Sequence, residues 1–155
     1  MYLPQTAEYA LRAVLHIAAH AADGSVRVNA MAPALGVPQN YLSKTLHQLA
    51  RAGILASTRG PTGGFRLARP ATQLTIATVV APFIDMASKR CLLADRPCGE
   101  APTCAVHARW APIRGQMDAF FASTSIAELL ADGPASERFP MLAFLGGRAE
   151  GAAAA

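Results

Sequence analysis

Three cysteines, Cys91, Cys98 and Cys104, are separated by six and five residues, and His107 follows the last of them by three. Thiolate and imidazole both ligate borderline and soft metals. A Cys3His set therefore suits either a tetrahedral zinc ion or an iron-sulfur cluster in which nitrogen replaces one thiolate. Structural zinc sites usually rely on cysteine pairs two to four residues apart, and neither gap here is that short. Wide spacing in a loop suits a larger, exchangeable cluster. Two other uses of these residues differ in kind. Buried thiols can serve as small apolar groups, which fits poorly with a polar, proline-broken segment. Cys104 activated by His107 could be a nucleophile, but there is no glycine-rich phosphate loop and no Ser/His/Asp set. The chain is also too short for a separate substrate pocket, so the expectation is a protein that is not an enzyme. His107 taken alone also fits an ordinary surface histidine.

The elements around these residues must bring them together. From Asp85 to Thr103, DMASKRCLLADRPCGEAPT has no apolar periodicity and reads as a loop, and loops of this length inside a compact chain are usually functional. Cys104 is expected to open a helix running to about Thr124, which would place His107 one turn on, on the same face. Along that helix Trp110, Ile113, Met117, Phe120 and Phe121 recur at steps of three and four. This stripe exceeds what a small core absorbs and implies a helix paired with its counterpart in a second subunit; intramolecular packing is the alternative. Ser125-Ile126-Ala127-Glu128 is a capping-box pattern for a short last helix stopped by Gly133-Pro134. FPMLAFLGG is apolar enough to dock, and the tail EGAAAA is expected to be disordered.

Upstream, Tyr9, Ala10, Ala13, Val14 and Ile17 mark a core helix from Thr6 to about Ala21, with Thr6 as its cap. Asp23-Gly24 predicts a turn and Arg27-Val28 a short strand. Asn29 caps a helix ending at Leu35, with Pro33 bending it near its first turn. Gly36 permits the positive φ of a sharp turn into a second helix that opens near Pro38 and closes at Gly53. There Tyr41, Leu42, Leu46 and Leu49 form a core stripe, leaving Gln39, Asn40, Ser43, Lys44 and His47 on the other face. A strand from Ile54 to Thr58, the tip RGPTGG and a return strand Phe65–Ala68 make a hairpin. Helix-turn-helix plus hairpin is a winged helix. Leu74–Ile84 reads as a further helix, capped at Thr75 and limited by Pro82.

Charge points to the partner. Between Leu35 and Pro70 lie Lys44, Arg51, Arg59, Arg66 and Arg69 with no Asp or Glu, in a chain of 155 residues with net charge +4. The remaining residues are close to neutral, so the positive charge sits on one element, as a polyanion site requires. A winged helix used only for protein contacts would not need it. No run approaches the ~18 apolar residues that span a bilayer, and the start lacks a signal-peptide pattern, so a cytoplasmic protein is expected. An odd cysteine count in such a chain argues against a disulfide framework.

TAEYALRAVLHIA near the start, the hairpin STRGPTGGFRLARP and the later CAVHARW together resemble the IscR/NsrR/RirA family of bacterial transcription regulators, over roughly Met1 to Ala131. The resemblance implies a mainly α fold with a small β-hairpin, built as a winged helix-turn-helix domain (1–84), a cysteine-bearing loop (85–103), a dimerisation helix with a short last helix (104–133) and an extension (134–155). It implies a cytoplasmic homodimer that represses transcription from a pseudo-palindromic DNA operator and senses redox state, nitric oxide or iron. The sensor would be an iron-sulfur cluster, 2Fe-2S rather than 4Fe-4S, on Cys91, Cys98, Cys104 and His107; zinc, or no metal and redox-active thiols, is the alternative. Glu8 stands where nitric-oxide-sensing relatives place an acidic ligand and is a secondary candidate, against the reading of a solvated carboxylate in a first helical turn. On the DNA side the resemblance assigns base contacts to Asn40, Ser43 and Lys44 and phosphate contacts to Gln39 and Tyr41. Arg59 would enter the minor groove, Thr62, Gly63 and Gly64 would offer backbone N–H groups, and Arg66 and Arg69 would be positioning charges.

Overall fold

The computed structural model describes residues 3–60, 63–85 and 106–132. Through them run, in order, α1 (Gln5–Ala19), α2 (Val28–Leu35), α3 (Gln39–Arg51), β1 (Leu55–Thr58), β2 (Gly64–Leu67), α4 (Ile76–Val80), α5 (His107–Ser123) and α6 (Ile126–Asp132). Single 3₁₀ turns occupy Ala21–Asp23 and Ala71–Gln73. The same device ends α2 and α3. Gly36 and Gly53 take φ of 63° and 69°, and each lets the residue after it donate back to a carbonyl five residues earlier: Val37 to Ala32 (3.1 Å) and Ile54 to Leu49 (3.0 Å). These are Schellman caps, whose left-handed residue glycine adopts without a Cβ penalty, and Val37 and Ile54 are driven into the core as the chain turns.

Several boundaries differ from expectation for local reasons. The N-cap of α1 is Pro4, which has no N–H to leave unsatisfied, and Thr6 therefore lies inside the first turn. Arg27 caps α2, so Asn29 is already helical and Pro33 falls beyond the first turn, where it forfeits one i→i−4 bond while the helix continues to Leu35. The strand expected at Arg27–Val28 is a single bridge at Val26, which exchanges two 2.8 Å bonds with Phe65. Helix α4 spans only Ile76–Val80. Thr75 does cap it, accepting from Thr78 N at 3.2 Å, and Pro82, which has no N–H to donate, follows soon after its end.

Leu42, Leu46 and Leu49 of α3 are fully buried against Ala10, Ala13, Val14 and Ile17 of α1, with Met31, Leu35, Leu55, Phe65, Leu74, Val79 and Ile126 closing the core. Each such leucine contributes about 1.5–3 kcal/mol by burial. A second cluster, Ala7, Ile76, Val80 and Phe121, fastens α5 to α1 and α4. The capping box of α6 forms as the sequence predicts: Glu128 Oε2 accepts from Ser125 N and Oγ at 2.7 Å each, and Ser125 Oγ accepts from Glu128 N at 3.2 Å. The bond from the Ser125 backbone, then that from its hydroxyl, holds the Glu128 carboxyl below its ordinary pKa. Ile76 N donates to Thr124 O and Ile126 N to Leu74 O, tying the starts of α4 and α6 together.

β1 and β2 pair antiparallel, Leu55 opposite Leu67 and Thr58 opposite Gly64. Close approach dictates glycine at the hairpin's return: a Cβ at Gly64 would lie 2.6 Å from Val26 O, and one at Gly63 would lie 2.5 Å from Thr58 O. Gly64→Ala is accordingly expected to push the hairpin off Val26 and destabilise the protein by ~1–3 kcal/mol. Urea denaturation checks this, and an unchanged midpoint would show that the Val26 edge yields freely.

Candidate nucleic-acid interface

The turn at Gly36 and the leucine face of α3 together decide which side of that helix meets solvent. Gln39, Asn40, Tyr41, Lys44, His47, Gln48 and Arg51 are exposed and Ser43 is half-buried. Beside them stands the hairpin, with Arg59 and Arg66 exposed and Arg69 just beyond it. Among the described residues none of Lys44, Arg51, Arg59, Arg66 or Arg69 is paired with a carboxylate. Five unneutralised cations on a helix and hairpin give a field that attracts a polyanion, strongest at low salt.

Three residues of α3, Tyr41, His47 and Gln48, make four contacts that hold this surface. Tyr41, expected in the core stripe, is 38% exposed. Its hydroxyl meets that of Thr6 and its ring stands edge-on to Tyr9 at 5.6 Å, because the Tyr41 side of α3 passes the start of α1 while Leu42 beside it enters the core. Gln48 Nε2 donates to Pro82 O at 2.8 Å, and the His47 ring meets Phe65 of β2 edge-on at 5.3 Å. These ties depend on partners 18 to 35 positions away in the chain, and the polar pattern of α3 carries no trace of them. At the hairpin tip, Gly63 N donates to Gly60 O (2.9 Å), so that amide is engaged within the turn. Thr62 lies outside the described residues.

The proposed metal ligands are placed only in part. Cys91, Cys98 and Cys104 lie outside the described residues. Helix α5 runs from His107 with Val106 at its N-cap, and the one-turn relation expected between Cys104 and His107 lies outside the described residues. Among the described residues no three His, Cys, Asp or Glu side chains form a metal-holding group. Glu8 is half-buried and paired with Arg12, a guanidinium only 7% exposed that also lies 5.9 Å from the Tyr9 ring.

The Rrf2 family profile, described as an iron-dependent transcriptional regulator, matches residues 3–132. The chain belongs to the Rrf2 family. It is 33% identical over 133 residues to a candidate HTH-type transcriptional regulator of Aquifex aeolicus, covering 84% of this chain and 92% of that one. It is 28% identical over 137 residues to the HTH-type transcriptional regulator IscR of Photobacterium profundum, covering 88% and 80%. In fold it resembles CymR, the global cysteine regulator of B. subtilis, with a TM-score of 0.74 at 22% identity over 86% of this chain and 99% of that one. It also resembles T. potens IscR, with a TM-score of 0.70 at 19% identity over 88% and 91%. These solved structures establish the winged-helix architecture. The relatives are transcription regulators, not enzymes, and this Rrf2 protein is a transcription regulator of the same kind. No helix among its described residues is long and apolar enough to cross a membrane.

Proposed function

We propose that this Rrf2 protein is a homodimeric repressor, acting in the cytoplasm, that binds a pseudo-palindromic operator and responds to redox state, nitric oxide or iron through an iron-sulfur cluster. The observation that carries the DNA reading is the exposed polar face of α3 set beside a hairpin, with five cations that no described carboxylate neutralises. Asn40, Ser43 and Lys44 meet base edges in the major groove, and Gln39 and Tyr41 meet phosphates. Arg59 enters the minor groove, Arg66 and Arg69 set the register, and the backbone at Thr62 and Gly64 approaches phosphate. Residues 1–84 form the DNA-binding unit, 85–103 the sensor loop, 104–133 the dimer element and 134–155 an extension.

The donor set fits a cluster. Cys91, Cys98, Cys104 and His107 would hold it, and a 2Fe-2S form with imidazole ligation has precedent. When bound, the cluster supplies a centre whose integrity depends on iron, oxidants and nitric oxide. Glu8 is the less favoured fourth ligand, since using it would withdraw a carboxylate from the nearly buried Arg12. On the protein side, the Gln48 bond to Pro82 ties the recognition helix to the stretch that leads toward Cys91, which supports a link between sensor and reader. Metal analysis and the visible spectrum of anaerobically purified protein separate a cluster from zinc or bare thiols.

Lys44→Ala and Arg59→Ala are each expected to weaken specific binding by ~1–3 kcal/mol while leaving fold and oligomeric state intact, because both side chains point into solvent. Fluorescence anisotropy across a salt series tests this. Parent-like binding by both variants would place the recognition surface elsewhere.

A further inference from the structure

At ~100° per residue, Asn40, Lys44, His47 and Arg51 fall within about 60° of one another on α3, a stripe roughly 16 Å long. The buried residues Leu42, Leu46 and Leu49 occupy the opposite side, so Lys44 and Arg51 lie at the middle of the outward face, Asn40 and His47 within about 50° of it, and Tyr41 and Gln39 farther round. If α3 enters a major groove with this face inward, side chains at the middle point to the groove floor and those on the flanks point to the phosphate walls. His47 thus stands on the same line as Asn40, one turn beyond Ser43 and Lys44. Unlike the flexible Lys44, its ring is docked: Phe65 of β2, itself buried, contacts it edge-on at 5.3 Å with the rings 74° apart. An aromatic contact of this kind restricts the imidazole, so less side-chain freedom remains to be lost when it meets a base.

We propose that His47 is a base-reading residue, steadied by Phe65 of the wing, that selects one base pair in each operator half-site. The inference rests on the operator-binding reading above. An imidazole N–H is a short, directional donor matched to the N7 acceptor of a purine. Guanine, which presents both N7 and O6 as acceptors and suits the cationic surroundings of Lys44 and Arg51, is the base it favours. Through Phe65 the same residue links the reading helix to the wing, so the two DNA-facing elements hold a common register.

The test uses the anaerobically purified full chain and a randomised duplex library, from which sites are selected by the parent and by His47→Ala. The exposed position makes the substitution compatible with the fold. The parent is expected to prefer guanine at one symmetric position per half-site, on the order of ten- to a hundredfold over other bases. His47→Ala should lose that preference, keep the others, and leave the salt dependence of binding unchanged. An unaltered selected motif would overturn the proposal. So would a uniform loss of affinity with a salt slope smaller by about one, which marks a phosphate contact. A parent that selects no motif at all would overturn the operator reading and His47 with it, whereas a parent motif indifferent to His47 leaves that reading standing.

Discussion

Alanine at Cys91, Cys98 or Cys104 is expected to abolish stable cluster binding, alanine at His107 to change the visible spectrum and lifetime of the cluster strongly, and alanine at Glu8 to change them only weakly. Loss of one thiolate leaves an iron open to solvent, and three thiolates in a chain of this size have no substitutes. The contrast between the two remaining candidates draws on the structure. His107 is half-buried as the first residue of α5, three positions from Cys104. Glu8 is committed to Arg12, and removing it from a guanidinium that is almost wholly buried carries a cost that coordination would have to offset. Absorption and paramagnetic resonance of anaerobic samples, with iron and sulfide content, give the readout. A spectrum altered by Glu8→Ala and untouched by His107→Ala would reverse the ligand assignment.

The second large effect concerns α5. Of its apolar stripe only Phe121 is buried, in the small cluster with Ala7, Ile76 and Val80. Ile113 and Phe120 are 49% and 51% exposed, and Met117 and Trp110 are half-buried. Among the described residues intramolecular packing therefore fully buries one residue of the five and half-buries two, and the outward face suits a second copy of the helix, as the proposed two-fold operator would need. Ile113→Glu combined with Met117→Glu should convert the proposed dimer to monomer at micromolar concentration, since a two-fold seam would set the introduced carboxylates against their own counterparts. Operator affinity should fall with it, because each half-site is then bound alone. Sedimentation equilibrium reports the outcome, and an intact dimer would move the interface to another surface.

The sequence by itself determined several features whose cause is local. Gly36 and Gly53 had to be the turning points because a left-handed residue ends each helix. Ser125 and Glu128 had to cap α6 because the box closes within four residues, and the leucines of α3 had to face inward because their spacing matches the helix repeat. The charge bias of the winged segment was equally plain, since it is a count. Tertiary structure alone decided the rest, because those outcomes depend on which distant element arrives. Tyr41 shares the spacing of the core leucines, yet it turns toward Thr6 and Tyr9 because α1 begins there. Gly64 lies in a glycine-rich tip that reads as a flexible turn, whereas its glycine is required by the Val26 backbone 38 positions upstream. Phe120 and Phe121 are neighbours of equal hydrophobicity, and only the placement of α1 and α4 buries one and leaves the other exposed. His47 reads in sequence as one more polar residue on a solvated face, and only the return of β2 sets Phe65 against it.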